Sequence, residues 1–246
     1  MNFESQSLKE EINSGIIYLI PSALGEASED FFPSSTKEKI FSVDFFIVEN
    51  ERSARRFLRR IGYNTSFEEV VMVKLEDDKN FIAGENLKQH LSEGKSVGVI
   101  SEAGAPGIAD PGAAVVRWAH EHKIRLVPLI GPSSIALALM SSGLNGQQFC
   151  FHGYLPVKTD ERRKKIKSLE DESKQKHQTQ IFMETPYRND SLLKDLLDVL
   201  HSSTQLCIAS NITLKDEFIF TQPVSLWKKE IPDLRKKPTI FLLLSE

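Results

Sequence analysis

The chain of 246 residues contains only two cysteines, Cys150 and Cys207, which lie far apart in the sequence. It has no C-x-x-C pair and no His/Cys spacing typical of metal ligands, so the sequence predicts that no metal is bound. No apolar run reaches the about 18 residues that a membrane helix needs. The first residues lack the basic and then apolar pattern of a secretion signal, so we expect a cytoplasmic protein without a membrane partner.

Two phosphate-binding motifs are also missing. The chain has neither the G-x-G-x-x-G fingerprint of dinucleotide-binding folds nor the G-x-x-x-x-G-K-[ST] loop of nucleotide hydrolases. Lys and Arg number 31 against 34 Asp and Glu, which gives a net charge of −3. The whole chain therefore lacks the basic excess of many nucleic-acid-binding proteins, and any such surface must be a local patch.

A loop of small residues follows a predicted strand in segment 96–112, S-V-G-V-I-S-E-A-G-A-P-G-I-A-D-P-G. The β-forming residues 97–100 predict the strand, and the three glycines after it allow a ligand to approach the main chain directly. Asp110 is a good N-cap and Pro111 suits the first helical position, so we expect a helix to begin there. An ordinary strand-to-helix turn is the alternative interpretation.

The alternation of apolar strands and amphipathic helices predicts an α/β protein. From Ile16–Ile20 to Ile124–Leu129 the order is β-α-β-α-β-α-β-α-β, which is typical of a doubly wound open parallel sheet. Such sheets bind ligands at the carboxyl ends of their strands. A second series of strands and helices follows Gly131. We therefore expect a polar N-terminal arm over 1–14, an N-terminal α/β domain over 15–129 and a C-terminal α/β domain over 130–246.

The helix predicted after residue 49 has a uniformly basic face. Five arginines recur at helical spacing and share that face: Arg52, Arg55, Arg56, Arg59 and Arg60. A solvated helix face is the ordinary explanation, but such faces usually mix both signs of charge. An anionic partner such as RNA phosphate is the alternative. A second basic run, 162–167, has charges all round its helix, and we interpret it as a solvated segment.

Several motifs match a known family. They are I-Y-L-I-P-S-A-L-G, V-E-N-E-R, the loop S-E-A-G-A-P-G-I-A-D-P-G, V-P-L-I-G-P-S-S, F-C-F-H-G-Y-L-P, I-F-M-E-T-P-Y-R and K-P-T-I-F-L-L-L. Together, from Ile16 to Leu244, they resemble the tetrapyrrole methylase superfamily and, within it, the group of ribosomal RNA small subunit methyltransferase I. The resemblance implies an S-adenosylmethionine-dependent methyltransferase of two α/β domains with mostly parallel and mixed sheets. It also implies that the cofactor lies in a cleft between the domains and that the protein is a homodimer.

The resemblance further implies which residues contact the cofactor: Ala103, Gly104, Ala105, Pro106, Ile108, Ser133, Ser134, Met183, Ala209, Ser210, Asn211, Pro238 and Thr239. Glu49 ends its strand and Glu102 flanks the small-residue loop, so both are candidate acid/base or substrate-positioning residues. For each of them a solvent-facing or capping carboxylate is the alternative. The candidate substrate-binding residues are Arg52, Arg55, Arg56 and Arg59.

The chain departs from the family's pattern at polar positions. Residues 49–52 read E-N-E-R where the family has E-D-T-R, and residues 209–214 lack the Arg, Glu and Lys of A-R-E-L-T-K. Three functions stay open. The first is methylation of RNA at the ribose 2′-hydroxyl of a cytidine in small-subunit rRNA. The second is methylation of a tetrapyrrole or another small metabolite, and the third is a cofactor-binding module without catalysis.

Overall fold

The structure is a computed structural model that describes residues 15–25, 31–75 and 81–245. Contacts within the chain divide it into two compact units, Met1–Ser133 and Ser134–Glu246. The sequence placed the junction at 129–130, a few residues earlier. The predicted N-terminal arm over 1–14 lies outside the described residues.

The first unit alternates strands and helices, as the sequence predicts. In chain order they are β1 (Ile16–Ile20), α1 (Ser34–Phe41), β2 (Phe45–Val48), α2 (Glu51–Arg60), β3 (Val71–Lys74), α3 (Glu85–Ser92), β4 (Val97–Ile100), α4 (Ala113–Glu121) and β5 (Arg125–Pro128). The strands form a sheet of order β3-β2-β4-β1-β5, and every pairing in it is parallel. The expected parallel α/β sheet is confirmed.

Helices cover both faces of this sheet. One buried cluster joins α1 and α2 to the sheet and includes Phe57 and Phe46. A second cluster joins α3 and α4 to the sheet and includes Trp118 and Phe45. Because successive side chains of a strand point to opposite faces, Phe45 and Phe46 belong to different clusters. The unit is therefore a three-layer, doubly wound arrangement.

The second unit is built on a mixed sheet. Its elements are α5 (Ser134–Ser142), β6 (Phe149–Tyr154), α6 (Thr159–Lys176), β7 (Thr179–Glu184), α7 (Asn189–Val199), β8 (Gln205–Ser210), β9 (Phe218–Pro223), α8 (Val224–Trp227) and β10 (Thr239–Leu244). The strand order is β6-β7-β10-β8-β9, with β6 parallel to β7 and the other pairs antiparallel. Side chains of α6, α7 and α8 pack with those of the sheet in one buried cluster. None of the helices in the described ranges is long and apolar enough to cross a bilayer.

The basic run 162–167 is not uniformly solvated, because Arg162 is buried inside the second unit. Its Nε donates to Asp195 Oδ2 at 2.7 Å, which fixes α6 on α7. Its Nη1 and Nη2 donate to Val157 O at 2.9 Å and to Ser191 Oγ at 3.0 Å. The interpretation of the run as solvated is therefore wrong for Arg162. Its partner lies on another helix, so local spacing gave no sign of the pair.

Replacing Asp195 with Asn is expected to lower the free energy of unfolding by about 3–5 kcal/mol, because the guanidinium of Arg162 would be left buried without its counter-charge. Asp198→Asn is the matched control on the same helix. Asp198 pairs with Arg163 at 2.7 Å where both side chains are more than 40% exposed. An exposed pair contributes at most about 1 kcal/mol. Urea unfolding of the two variants measures the difference, and equal losses would contradict the assignment of Arg162.

Candidate functional site

The strand order of the first sheet reverses between β1 and β4. From β1 the chain moves to β2 and β3 on one side, and from β4 it moves to β5 on the other side of β1. The connections that leave β1 and β4 therefore run to opposite faces of the sheet. Such a reversal leaves a crevice at the carboxyl ends of the two strands, where open α/β sheets bind ligands. The small-residue loop after β4 begins at this edge, and so does the loop P-S-A-L-G of residues 21–25, which follows β1.

Main-chain hydrogen bonds join these two loops. Ser22 N donates to Gly104 O at 2.8 Å, and Gly104 N donates to Ser22 O at 3.2 Å. The φ of Gly104 is +78°, a conformation that residues with a side chain rarely adopt, so glycine suits this contact. The hydroxyl of Ser22 is buried and has no hydrogen-bond partner among the described residues. A polar group in that state is available to a ligand.

The rest of the β4–α4 loop keeps part of its surface open. Ile108 N donates to Ala105 O at 3.2 Å, which closes a turn. The side chain of Ile108 is 52% exposed. Ala103 is exposed as well, Ala105 is half-buried and Pro106 is buried. The loop thus offers main chain and small apolar surface to a bound molecule.

Helix α4 does not begin where the sequence predicts. Its first residue is Ala113, and its N-cap is Gly112 with a φ of +139°, so the assignment of Asp110 as the cap is wrong. The carbonyl of Pro111 accepts a hydrogen bond from Gly107 N at 3.2 Å, which keeps Pro111 in the loop. A Cβ at Gly112 would lie 3.1 Å from Gly107 N, so this close approach favours glycine.

Three carboxylates gather at this edge of the sheet: Glu49 after β2, Glu102 after β4, and Asp110 in the loop before α4. Glu102 N donates to Glu49 Oε2 at 3.4 Å, and Ser53 Oγ donates to Glu102 Oε1 at 3.1 Å. Burial and the charges of Glu49 and Glu102 raise the pKa of Asp110 to about 6. Burial also raises the pKa of Glu49. The structure brings together the two candidates from the sequence and adds Asp110.

Helix α2 begins beside these carboxylates. Its N-cap is Asn50, whose Oδ1 accepts from Arg52 N at 2.9 Å and from Ser53 N at 3.2 Å. Arg52 lies in the first turn, where the helix dipole disfavours a cation, so the stability of α2 does not explain the choice of arginine. The side chains of Arg52 and Arg56 are both exposed.

Two other arginines of α2 serve the local structure. Arg55 Nη2 lies 3.4 Å from Glu51 Oε2. Arg59 Nη1 donates to Tyr63 O at 2.6 Å. The guanidinium groups of Arg55 and Arg59 lie 5.3 and 4.1 Å from the ring centroid of Phe67. These contacts hold the loop after α2 against the helix, so the basic face is not a uniform set of free charges.

In the second unit, the predicted cofactor residues come from strands that meet at one edge. Thr239 of β10 is paired with Ser210 of β8, and the next residue of β10 is paired with both Met183 of β7 and Ala209 of β8. The structure therefore places these four residues side by side. Ser133 ends the first unit and Ser134 begins α5 in the second, and both are half-buried.

Hydrogen bonds fix this second edge. Asn211 N donates to Pro238 O at 2.9 Å, and Thr239 Oγ1 donates to Ser210 Oγ at 3.2 Å. Pro238 is exposed and Met183 is half-buried, so both present surface to solvent. Of the predicted cofactor residues in the second unit, Ala209, Ser210, Asn211 and Thr239 are buried.

The described carboxylates of the acidic edge are not arranged as a set of metal ligands. Within residues 15–25, 31–75 and 81–245, no group of three or more His, Cys, Asp or Glu side chains is placed to hold a metal ion. Both cysteines are free, and burial raises the pKa of Cys207 to about 11. A thiol in that state is a poor nucleophile.

Comparison with known sequences identifies the family. The sequence model of the tetrapyrrole (corrin/porphyrin) methylases matches residues 37–226, which is most of the chain. The chain belongs to this family. The methylase is 31% identical over 234 residues to "Ribosomal RNA small subunit methyltransferase I" of Escherichia coli O157:H7, a match that covers 94% of this chain and 78% of the relative. The protein of the same name from Vibrio cholerae is 31% identical over 232 residues, which are 93% of this chain and 76% of the relative.

Solved structures support the same fold. The methylase aligns with the methyltransferase CobJ at a TM-score of 0.58 and 14% identity, covering 94% of both chains. It aligns with CbiF, a cobalt precorrin-4 methyltransferase, at a TM-score of 0.57 and 13% identity, covering 93% of this chain and 94% of that one. The expected fold class and the resemblance to tetrapyrrole methylases are confirmed, and the protein is a methyltransferase.

Sequence reasoning overlooked Asp110 as a member of the candidate site of this methylase. The Asp-Pro-Gly pattern of residues 110–112 favours a helix cap. Because this interpretation assigned Asp110 a structural role, its carboxylate was not considered as a functional group. A signal was present, however. Asp110 stands in a loop that leaves the same sheet edge as Glu49 and Glu102, and the predicted parallel sheet already placed the carboxyl ends of its strands at one edge.

Asp110→Asn is expected to raise the free energy of unfolding above about pH 7 and to change it little near pH 4. The pKa of Asp110 is about 6 in the folded methylase against an ordinary value of 3.8. The fold favours the protonated carboxyl of Asp110. The stability that this group contributes is therefore fully present below the ordinary pKa of 3.8 and is lost as the pH rises through about 6. The shift corresponds to at most about 3 kcal/mol, which solvent screening of this half-buried group reduces to about 1 kcal/mol.

Urea unfolding at the two pH values measures this effect. Glu121→Gln, which removes an exposed carboxylate at the end of α4, is the control and is expected to show no such pH-dependent gain. A difference between wild type and Asp110→Asn that stays constant across the range would contradict the assigned environment of Asp110.

Proposed function

We propose that this methylase transfers a methyl group from S-adenosylmethionine to RNA, at the ribose 2′-hydroxyl of a cytidine in small-subunit rRNA. The observation that carries the proposal is the 31% identity, over 94% of the chain, to a relative named ribosomal RNA small subunit methyltransferase I. The solved cobalt precorrin-4 methyltransferase shares the fold but only 13% of its sequence. The higher sequence identity therefore favours the RNA enzyme over the corrinoid enzyme as a guide to substrate.

The residues at both sheet edges suit S-adenosylmethionine. This molecule carries an adenosine, a zwitterionic amino acid and a sulfonium, and it has no phosphate that would need a glycine-rich phosphate loop. The main chain around Gly104 and the unpartnered hydroxyl of Ser22 supply polar groups, while Ala103 and Ile108 supply small apolar surface. In the second unit, Met183 and Pro238 have surface to contribute. The cofactor supplies an activated methyl group when it is bound.

The acidic edge supplies a base for the reaction. General base catalysis is most effective when the pKa of the base lies near the working pH, and it contributes about 10²–10⁴-fold. Asp110, with a pKa of about 6, meets this condition. In the proposed reaction, Asp110 accepts the proton of the ribose hydroxyl as that oxygen takes the methyl group and the carbon–sulfur bond breaks. Glu49 and Glu102 act as positioning residues, because their charges add to the effect of burial in raising the pKa of Asp110.

The basic face of α2 provides the contact with RNA phosphate. Arg52 and Arg56 are exposed on the helix that begins at the carboxyl edge of the first sheet. Phosphate contacts from such side chains position a nucleic acid without reading its sequence. Arg55 and Arg59, which also hold the local structure, contribute to the same positive surface.

Methylation of a tetrapyrrole or a similar small metabolite is the second candidate. The three carboxylates at the edge of the first sheet favour it, because they oppose the approach of phosphate. The first 128 residues are also acidic, with 20 Asp and Glu against 15 Lys and Arg. The third possibility, a cofactor-binding module without catalysis, is not favoured, because the chain belongs to a family of methyltransferases.

The family resemblance also supports two further proposals, that the methylase is a homodimer and that it works in the cytoplasm. Light scattering during size-exclusion chromatography tests the first. A constant mass of one chain across the concentration range would overturn it. Fractionation of the source cells tests the second.

Transfer of tritium from methyl-labelled S-adenosylmethionine tests the main proposal. The acceptors are small ribosomal subunits, total RNA and the small-molecule fraction of cells that lack the methylase. We expect label in small-subunit rRNA, within a dinucleotide that survives alkaline hydrolysis, because a 2′-O-methyl group blocks cleavage of the next phosphodiester. Label in the small-molecule fraction would establish the second candidate, and label in neither would overturn both.

Asp110→Asn is expected to lower the rate of methyl transfer about 10²–10⁴-fold, because an amide does not accept the proton. Calorimetry is expected to give the same dissociation constant for S-adenosylmethionine in the variant and the wild type. The remaining activity of the variant is expected to lose the rise with pH that ionisation of Asp110 gives the wild type. An unchanged rate and pH profile would show that Asp110 does not act as the base.

The double variant Arg52→Ala, Arg56→Ala is expected to weaken binding to rRNA fragments. The slope of log affinity against log salt concentration is expected to shrink by about 0.7–0.9 for each phosphate that the variant no longer binds. Arg125→Ala is the matched control, since Arg125 is an exposed arginine at the opposite, amino end of the same sheet. If both proteins lose affinity equally, the effect comes from net charge and not from α2.

A further inference from the structure

Two exposed tyrosines lie at the edge of the second sheet that carries the candidate cofactor residues. Tyr154 ends β6, is in register with Met183 of β7 and is 55% exposed. Tyr187 follows the end of β7 and is 85% exposed. Aromatic rings left this open to solvent are candidates for a binding surface. Neither ring is used by the proposed methyl transfer.

The backbone that carries Tyr187 is held in place. Arg188 Nε and Nη2 donate to Glu184 Oε1 at 3.0 and 2.6 Å, which ties the start of α7 to the end of β7. Lys236 N donates to Pro186 O at 3.2 Å, which ties the loop before β10 to the same turn. Tyr187 is thus an exposed ring on a fixed turn. A partner that binds such a ring loses little free energy to ordering the protein.

The loop after β6 is fixed to the same region. The buried Arg162 donates to Val157 O at 2.9 Å and to Ser191 Oγ at 3.0 Å. Val157 lies in the loop after Tyr154, and Ser191 lies in the first turn of α7, four residues after Tyr187. One guanidinium therefore links the two segments from which the tyrosines project. Val157 is itself 64% exposed, so it adds apolar surface.

Ion pairs balance most of the charge around the tyrosines. Segments 154–158, 185–188 and 235–238 contain five basic residues and no acidic residue. Four of the five form ion pairs with neighbouring segments, so the excess positive charge is modest. The fifth, Lys236, is exposed and has a φ of 61°, which is uncommon for a residue with a long side chain. The surface therefore offers mainly aromatic contact, with little net charge to repel an anionic polymer.

We propose that Tyr154 and Tyr187 form a stacking platform for unpaired bases of the RNA. The proposal rests on the proposed function, since it assigns to one surface the task of holding that substrate. Proteins recognise RNA mostly at single-stranded segments whose bases stack on aromatic side chains. Each such stack contributes about 1–3 kcal/mol with little dependence on sequence. Bases held there would fix a single-stranded segment at the sheet edge that carries Met183 and Pro238.

The test measures the affinity of the full chain for a fluorescein-labelled, cytidine-rich single-stranded RNA of about 12 nucleotides. Tyr187→Ala is expected to weaken binding about 5- to 150-fold with an unchanged salt slope, because it removes a ring and no charge. Tyr187→Phe keeps the ring and is expected to bind like the wild type. Phe149→Ala is the matched control, because Phe149 is 48% exposed at the opposite end of β6.

A second probe is the same RNA with abasic nucleotides, which has the same phosphates and no bases to stack. The wild type is expected to bind it more weakly than the intact RNA, and Tyr187→Ala is expected to show a smaller difference between the two probes.

Equal affinity of wild type and Tyr187→Ala for intact RNA, with weaker binding by the Arg52 and Arg56 variant, would overturn the platform and leave the RNA function intact. Absence of RNA binding by the wild type would overturn both. A change of oligomeric mass in Tyr187→Ala would assign the rings to contact between copies and overturn the platform.

Discussion

The pair of main-chain hydrogen bonds between Ser22 and Gly104 is the constraint on which the functional edge of the first unit depends. It joins the loops that leave β1 and β4, at the point where the strand order reverses. Because the two loops then lead to helices on opposite faces, the bonds hold together a place where the layers would otherwise separate. The left-handed φ of Gly104 follows from this contact. The same contact also directs the loop that carries Asp110 past the end of β4.

Like charges held together are unfavourable for folding, and the methylase keeps three carboxylates at this edge. Burial and mutual repulsion raise the pKa of Asp110 and Glu49, so the arrangement is less stable when all three are ionised. Perturbed carboxyl groups of this kind cluster at functional sites, where the rest of the fold supplies the stability that they remove. In the first unit, one buried apolar cluster on each face of the sheet supplies this stability. Three carboxylates that weaken the fold in this way are best explained by a role in the reaction.

Much of this architecture was predictable because it follows from local patterns. Apolar strands, amphipathic helices and small-residue loops indicated the parallel first sheet, and the quoted motifs identified the family. Features that depend on distant residues were not predictable. The burial of Arg162 needs Asp195 on another helix, and the contact of Arg59 with Phe67 needs the loop after α2 to fold back. The start of α4 was misplaced because a hydrogen bond from Gly107 to Pro111 outweighed the preference of Asp110 for a cap.

The position of β10 has a consequence for synthesis of the second unit. This strand lies between β7 and β8, both of which precede it in the chain, and it pairs with β8 over residues 239–244 and with β7 over residues 239–243. Until residues 239–244 leave the ribosome, the nascent sheet is two halves with facing unpaired edges. Exposed strand edges recruit other chains, and pairing over such sequence separations is slow. The second unit therefore exposes two unpaired strand edges until its last strand has been synthesised.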